Sequence, residues 1–177
     1  MNMPKRKQIR LPAYDYSTPG AYFVTVCTAD RRCILSTISV GAIHESPVVH
    51  LTDAGTIVRG VIERLPERFI NTGVDHYVIM PNHIHLLLRI EEGRAIRESP
   101  LQEQGKRSLL DKMIGYLKMN SSKQIHSLYP DLEIWQRSYH EHVIRNDEDY
   151  RAIWEYIDTN PVKWTLDRYF ADAERIG

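Results

Sequence analysis

Two histidines separated by one apolar residue, His83-Ile84-His85, are the densest chemical feature of the chain. They open a run in which Ile84, Leu86, Leu88 and Ile90 alternate with His83, His85, Leu87 and Arg89. That alternation belongs to a strand, whose successive side chains point to opposite faces, so both imidazoles project from one face. Paired imidazoles at this spacing suit a divalent metal. Farther on, Tyr156 and Asn160 stand four residues apart in a helical pattern and would be neighbours on one side of it. A phenolate can attack phosphorus and form a covalent phosphotyrosine, and an amide oxygen can complete a metal shell beside the histidines. Each signal alone has an ordinary reading: His-x-His pairs occur without metal, and amphipathic helices carry border tyrosines for packing.

The elements that must position these groups are legible on either side. Tyr22-Phe23-Val24-Thr25-Val26 within Ala21 to Thr28 is β-branched and aromatic, a first strand. From Leu51, apolar residues recur at Ala54, Ile57, Val58, Val61, Ile62 and Leu65, a helical face with Thr52 as N-cap and Pro66 near its stop. His76-Tyr77-Val78-Ile79 leads through the Pro81-Asn82 turn into the histidine strand, giving a hairpin over 74–90. Ser108 and Asp111 form a capping pair for a helix to about Ile125, with Leu110, Met113, Ile114 and Leu117 inward and Lys112, Lys118 and Lys123 outward. Ile134 to Ile144 reads as a last strand. Asn146 with Asp147-Glu148-Asp149 then starts a helix whose buried stripe is Tyr150, Ile153, Trp154 and Ile157, and Asn160-Pro161 ends it. The order predicts an α+β fold: a ferredoxin-like (RRM-like) antiparallel sheet with two helices on one face, plus a C-terminal helix carrying Tyr156.

The 177 residues suffice for one compact domain, and 42% apolar with 26% charged residues is a globular balance. No apolar run is long enough to span a bilayer, and the basic N-terminus lacks the apolar stretch of a secretory signal. Cys27 and Cys33 make no disulfide framework, so a reducing cytoplasm is the simplest home. The formal net charge is zero, but it is segregated. Residues 1–32 hold six Lys/Arg against two Asp/Glu, and residues 106–126 hold five against one. A neutral protein can thereby present a basic face to phosphates. Gly41 to Pro47 and Arg94 to Pro100 echo one another, and both read as surface insertions.

Taken in order, Pro81-Asn82-His83-Ile84-His85, Trp135-Gln136 with Tyr139, His142-Val143-Ile144-Arg145-Asn146, and Tyr156 to Lys163 resemble the REP-associated tyrosine transposases, within the single-tyrosine HUH superfamily. Tyr14-Asp15-Tyr16 and Gly20 to Thr25 fit as well, so the resemblance spans roughly residues 10–165. It implies that His83 and His85 are metal ligands, Tyr156 the nucleophile and Asn160 the polar third ligand. It implies cleavage and rejoining of single-stranded DNA at imperfect hairpins of palindromic repeats, through a 5′-phosphotyrosine, with Mg²⁺ or Mn²⁺, in a cytoplasmic, nucleoid-associated protein. The domain plan is then a basic arm over 1–20 and one HUH transposase-like domain over 21–177, with insertions near 39–50 and 93–105. Lys5, Arg6, Lys7 and Arg10 of the arm, with Lys112, Lys118 and Lys123, are candidate DNA contacts. Tyr139 and Trp164 are candidate stacking surfaces for bases, and His142 is expected to hold a strand-to-helix junction.

Two rivals remain at this point. One is a nucleic-acid-binding module without catalysis, including a catalytically inactive hairpin DNA-binding protein of the same fold; the aromatic signature of an RRM is absent from the histidine strand. The other is a metal hydrolase that activates water. The sequence leaves open whether the chain forms a homodimer and whether Tyr156 acts in cis or across an interface.

Overall fold

The computed structural model describes residues 15–39, 47–92 and 107–170. Lys5, Arg6, Lys7 and Arg10, most of the N-terminal arm, the centre of the first insertion and all of the second lie outside the described residues.

Four strands form the main sheet: β1 (Gly20–Cys27), β4 (Thr72–Ile79), β5 (His83–Ile90) and β6 (His140–Ile144), in the order β4-β5-β1-β6. All its pairings are antiparallel, and the first strand lies between the third and fourth of the four. This is the split βαβ arrangement of a ferredoxin-like fold, with α1 (Asp53–Glu63) and α3 (Leu109–His126) as the crossover helices. Both pack on one face over Tyr22, Val24, Val26, Ile84, Leu86 and Leu88, all fully buried. A third layer, α4 (Asp147–Thr159), lies against β4 and β5 on the other face.

The caps fall where the side-chain oxygens placed them. Thr52 accepts from Gly55 N, Ser108 from Asp111 N and Asn146 from Asp149 N. Gly55 also lets α1 approach closely: a Cβ there would sit 1.9 Å from the Leu35 carbonyl oxygen. Pro66 does not stop the helical run outright; it opens a further turn, α2 (Leu65–Arg68), where its missing N–H costs no bond.

Three other expectations change. The flanks of the first insertion pair as a separate two-stranded sheet, β2 (Ser36–Ser39) with β3 (Val48–Leu51). The last strand is shorter than Ile134 to Ile144. Its first half instead tucks in Ile134 and Trp135, and the Trp135 indole donates to Ser121. In that half, Lys118 Nζ donates at 2.9 Å to the carbonyls of Gln136 and Ser138, satisfying backbone that a ladder would otherwise take up. Lys118 is therefore turned inward rather than outward with Lys112 and Lys123, and burial pushes its ammonium down to about 8. Finally, of the stripe expected on α4, only Ile157 is fully buried; Trp154 is 37% exposed and stacks on His76 at 4.3 Å. The face under α4 sets His83 and His85 beside Leu87 and Phe23, and polar contacts tie the helix down at its margins. Asp158 meets His76 at 2.7 Å, and Tyr150 donates to Asp75 at the bulge of β4.

Candidate metal and nucleophile site

Strand alternation sets the site. His83 and His85 of β5, with Phe23 and Thr25 of β1, share the face turned away from α1 and α3. Both histidines are fully buried, and their Nε2 atoms lie 3.1 Å apart. Each ring is fixed through its other nitrogen: Thr25 Oγ1 is 2.9 Å from His85 Nδ1, and Asn82 Oδ1 is 2.9 Å from His83 Nδ1. The second bond can be assigned a direction. Asn82 donates its Nδ2 to the carbonyls of Arg31 and Tyr169, so its Oδ1 must accept, and His83 carries its proton on Nδ1. The Nε2 lone pair of His83 then faces His85 Nε2, 3.1 Å away, on the site side of the ring, the orientation that metal-ligating histidines use.

Burial is the main cause that lowers the pKa of His83 to about 4, opposed by Asp167 and reinforced by Arg168 and Arg31. His85 lies well below the ordinary histidine value through burial, with His83 and Arg168 adding to it. At neutral pH both rings are uncharged.

α4 brings Tyr156 over this face. Its ring packs edge-on against Phe23, and its hydroxyl lies 3.5 Å from His85 Nε2 and 3.4 Å from Asp167 Oδ2. Burial, then the Asp167 carboxylate, push the phenol up to about 12. Asn160, the C-cap of α4, is buried; its Nδ2 donates to Asp167 Oδ2 at 3.0 Å, while its Oδ1 is buried without a hydrogen-bond partner. A buried carbonyl oxygen left unpaired costs free energy that a ligand would recover. The donor set of two neutral imidazoles and an orphaned amide oxygen fits a divalent cation.

The structure thus gathers Tyr156, His83, His85 and Asn160 at one point. Lys112 and Lys123 are exposed on α3, across the sheet from them. Tyr139 is held by a bond to Asp111 and packs at the core margin. Trp164 is half-buried with its ring centroid 6.0 Å from that of His83. His142 bonds Asp149 across the β6–α4 junction at 2.8 Å.

Sequence reasoning missed Asp167, Arg168 and the roles of Thr25 and Arg31. Asp167 arrives through a 3₁₀ turn, Trp164–Leu166, where no periodicity marks it. Arg31 follows β1 in a left-handed backbone conformation (φ 56°), next to Asp30 in the same conformation (φ 52°). Such backbone is strained for a side-chain-bearing residue and is found preferentially at functional sites.

A ferredoxin-like sheet with paired histidines beneath a helix-borne tyrosine is the layout of the single-tyrosine transposases. Comparison with known proteins narrows this class. A Haemophilus influenzae protein named "Putative REP-associated tyrosine transposase" is 33% identical over 84% of this chain and 74% of its own length. The chain belongs to the REP-associated tyrosine transposases, enzymes of the DNA-cleaving, tyrosine transposase type. A second H. influenzae protein, uncharacterized, is 31% identical over 94% of both chains. The solved structure of a REP-associated tyrosine transposase bound to a REP hairpin shares the fold at a TM-score of 0.58, with 24% identity over 87% of this chain and 73% of that one. No family model matches the chain. Among the described residues, no helix is long and apolar enough to cross a membrane.

Proposed function

We propose that this chain cleaves and rejoins single-stranded DNA at hairpins of palindromic repeats, with Tyr156 as nucleophile and a divalent cation at His83 and His85. The observation that supports it most is the placement of the Tyr156 hydroxyl 3.5 Å from His85 Nε2, in a buried imidazole pair whose outer nitrogens are already committed. Family membership and a relative solved with a REP hairpin support the substrate.

The Tyr156 oxygen would attack the scissile phosphorus, forming the Tyr–O–P bond as the P–O3′ bond breaks, which leaves a 5′-phosphotyrosine and a free 3′ hydroxyl. Attack by a 3′ hydroxyl on the same phosphorus would reverse the step and rejoin strands, with no nucleotide hydrolysed. Mg²⁺ or Mn²⁺, held by His83, His85 and Asn160 Oδ1, would polarise the phosphate and stabilise the leaving oxygen. Phe23 fixes the Tyr156 ring edge-on, so the phenol is positioned before substrate arrives. The exposed guanidinium groups of Arg31 and Arg168 flank the site and supply positive charge for the phosphate. Lys112 and Lys123, with Lys5, Arg6, Lys7 and Arg10 of the arm, would contact phosphates outside the site. Lys118 would do so only by releasing its two carbonyls. The setting would be the cytoplasm, at the nucleoid.

The test is incubation with end-labelled single-stranded hairpins from repeats flanking the coding region, in Mg²⁺ or Mn²⁺, resolved on a denaturing gel. A protein–DNA adduct with the wild type and none with Tyr156→Phe is the expected result. Hairpin binding without an adduct in either metal would favour the inactive DNA-binding protein. Turnover by Tyr156→Phe would favour the water-activating hydrolase.

A further inference from the structure

We infer that Asp167 is itself a ligand of the metal and supplies the negative charge of the centre, with Asn160 orienting it; the inference rests on the metal-dependent reading above. Among the described residues, one donor atom each from His83, His85 and Asp167 lie within 4.8 Å of one another. Two neutral imidazoles and an amide carry no charge, whereas Mg²⁺ and Mn²⁺ favour oxygen donors and carboxylates above all. Asp167 is the one carboxylate in the cluster, and three bonds reach it. Its Oδ1 accepts from Tyr169 N at 2.6 Å, and its Oδ2 accepts from Asn160 Nδ2 at 3.0 Å and from the Tyr156 hydroxyl at 3.4 Å. A carboxylate can accept about four hydrogen bonds or metal contacts, so a lone pair on Oδ1 remains for a cation, and a second is released when Tyr156 turns to substrate.

The Asn160 amide supports the same assignment. Turned over, its oxygen would face the carboxylate in repulsion. As placed, Nδ2 orients Asp167 and Oδ1 stays buried and unpartnered. The histidine pair is therefore faced by a carboxylate from the turn after α4, positioned by Asn160, the C-cap of α4. Such an arrangement gives two nitrogens and a charged oxygen to one ion, a set familiar from divalent metal sites with open positions. It also couples the metal to the nucleophile. The Tyr156 hydroxyl points at the same Asp167 oxygen, so a cation there would offset the charge that holds the phenol proton.

The alternative role for Asp167 is purely structural, as the acceptor that closes the turn at Tyr169. The experiment that separates the two measures Mn²⁺ binding to the full chain without DNA, by the electron paramagnetic resonance signal of free Mn²⁺. Asp167→Asn keeps an acceptor for the turn but loses the charge, and should weaken Mn²⁺ by at least about tenfold. Asp167→Cys should lose Mn²⁺ and gain Cd²⁺, with a new thiolate-to-Cd²⁺ band in the ultraviolet absent from the wild type, whose Cys27 and Cys33 provide the background. A structural residue would not change the preferred metal. Wild-type Mn²⁺ affinity in Asp167→Asn, or no new Cd²⁺ band in Asp167→Cys, alongside lost binding in His83→Ala, would overturn the assignment of Asp167 while leaving the metal site standing. Unchanged Mn²⁺ binding in His83→Ala would overturn the metal site itself.

Discussion

The two faces of one strand, β5, are put to opposite uses. Ile84, Leu86 and Leu88 sit at zero exposure among the side chains of α1 and α3, a packed apolar layer in which shape decides everything. His83 and His85, equally buried, meet a mixed layer instead: the rings of Phe23 and Tyr169 beside polar groups of Thr25, Asn82, Tyr156 and Asp167, with Asn160 bonded to Asp167. The first face supplies stability. The second carries buried imidazoles held neutral, an unpartnered amide oxygen and a helix secured at its margins by hydrogen bonds. A sheet with one side fully packed can support a side that is not, and a period of two delivers both sets of residues from one strand.

Substitutions on the two faces should therefore separate activity from stability. Replacing His83 and His85 together by Ala should abolish adduct formation while hairpin binding, measured by gel shift, persists; retained cleavage in Mg²⁺ would take the histidines out of the mechanism. Next to them on the same strand, Leu86→Ala should cost about 2–5 kcal/mol of unfolding free energy in urea melts. Below its melting temperature, that variant should still form the adduct. A Leu86→Ala protein that is fully folded yet inactive would break the division between the faces.

Acid should weaken the histidine face selectively. Unfolded His83 takes up a proton near 6.5, whereas folded His83 waits until about 4. Between those values the unfolded state binds more protons, so stability of the metal-free protein falls as pH drops from about 6.5 to about 4. His85 acts in the same direction. His83→Gln should show a shallower loss over that window in thermal melts, and an unaltered slope would mean that burial of the histidine is not what acid opposes.

The smallest effect concerns charge on the far side of the molecule. Neutralising Lys112 and Lys123 on the outer surface of α3 should leave unfolding within about half a kcal/mol. It should lower hairpin affinity and flatten its salt dependence by about one unit of slope for each phosphate no longer neutralised. An unchanged slope would confine the DNA to the histidine face and the segments beside it.

What the sequence made legible follows the same division. Where a regular period or a cap governs the backbone, the placement of the element survives: the alternation of β5, the caps Thr52, Ser108 and Asn146, and the four-residue spacing of Tyr156 and Asn160 on α4 and its C-cap. The fold class followed from these. Where a single side chain overrides the pattern, the reading fails. Lys118 looked like solvent-facing charge, yet it secures two carbonyls and shortens β6. Trp154 looked like core because it falls in the helical stripe of α4, but α4 lies so that the indole reaches the margin and stacks on His76. Asp167 lies beyond the helix in a turn without periodicity, so only the folded chain brings it to the histidines.

The central claim is that Tyr156 becomes covalently bonded to DNA. The most direct measurement is mass spectrometry of the trapped adduct after nuclease and protease digestion. The account predicts a nucleotide attached through a 5′-phosphate to Tyr156, in the peptide between Arg151 and Lys163. Attachment at another residue, or a cleaved hairpin with no modified peptide, would contradict it.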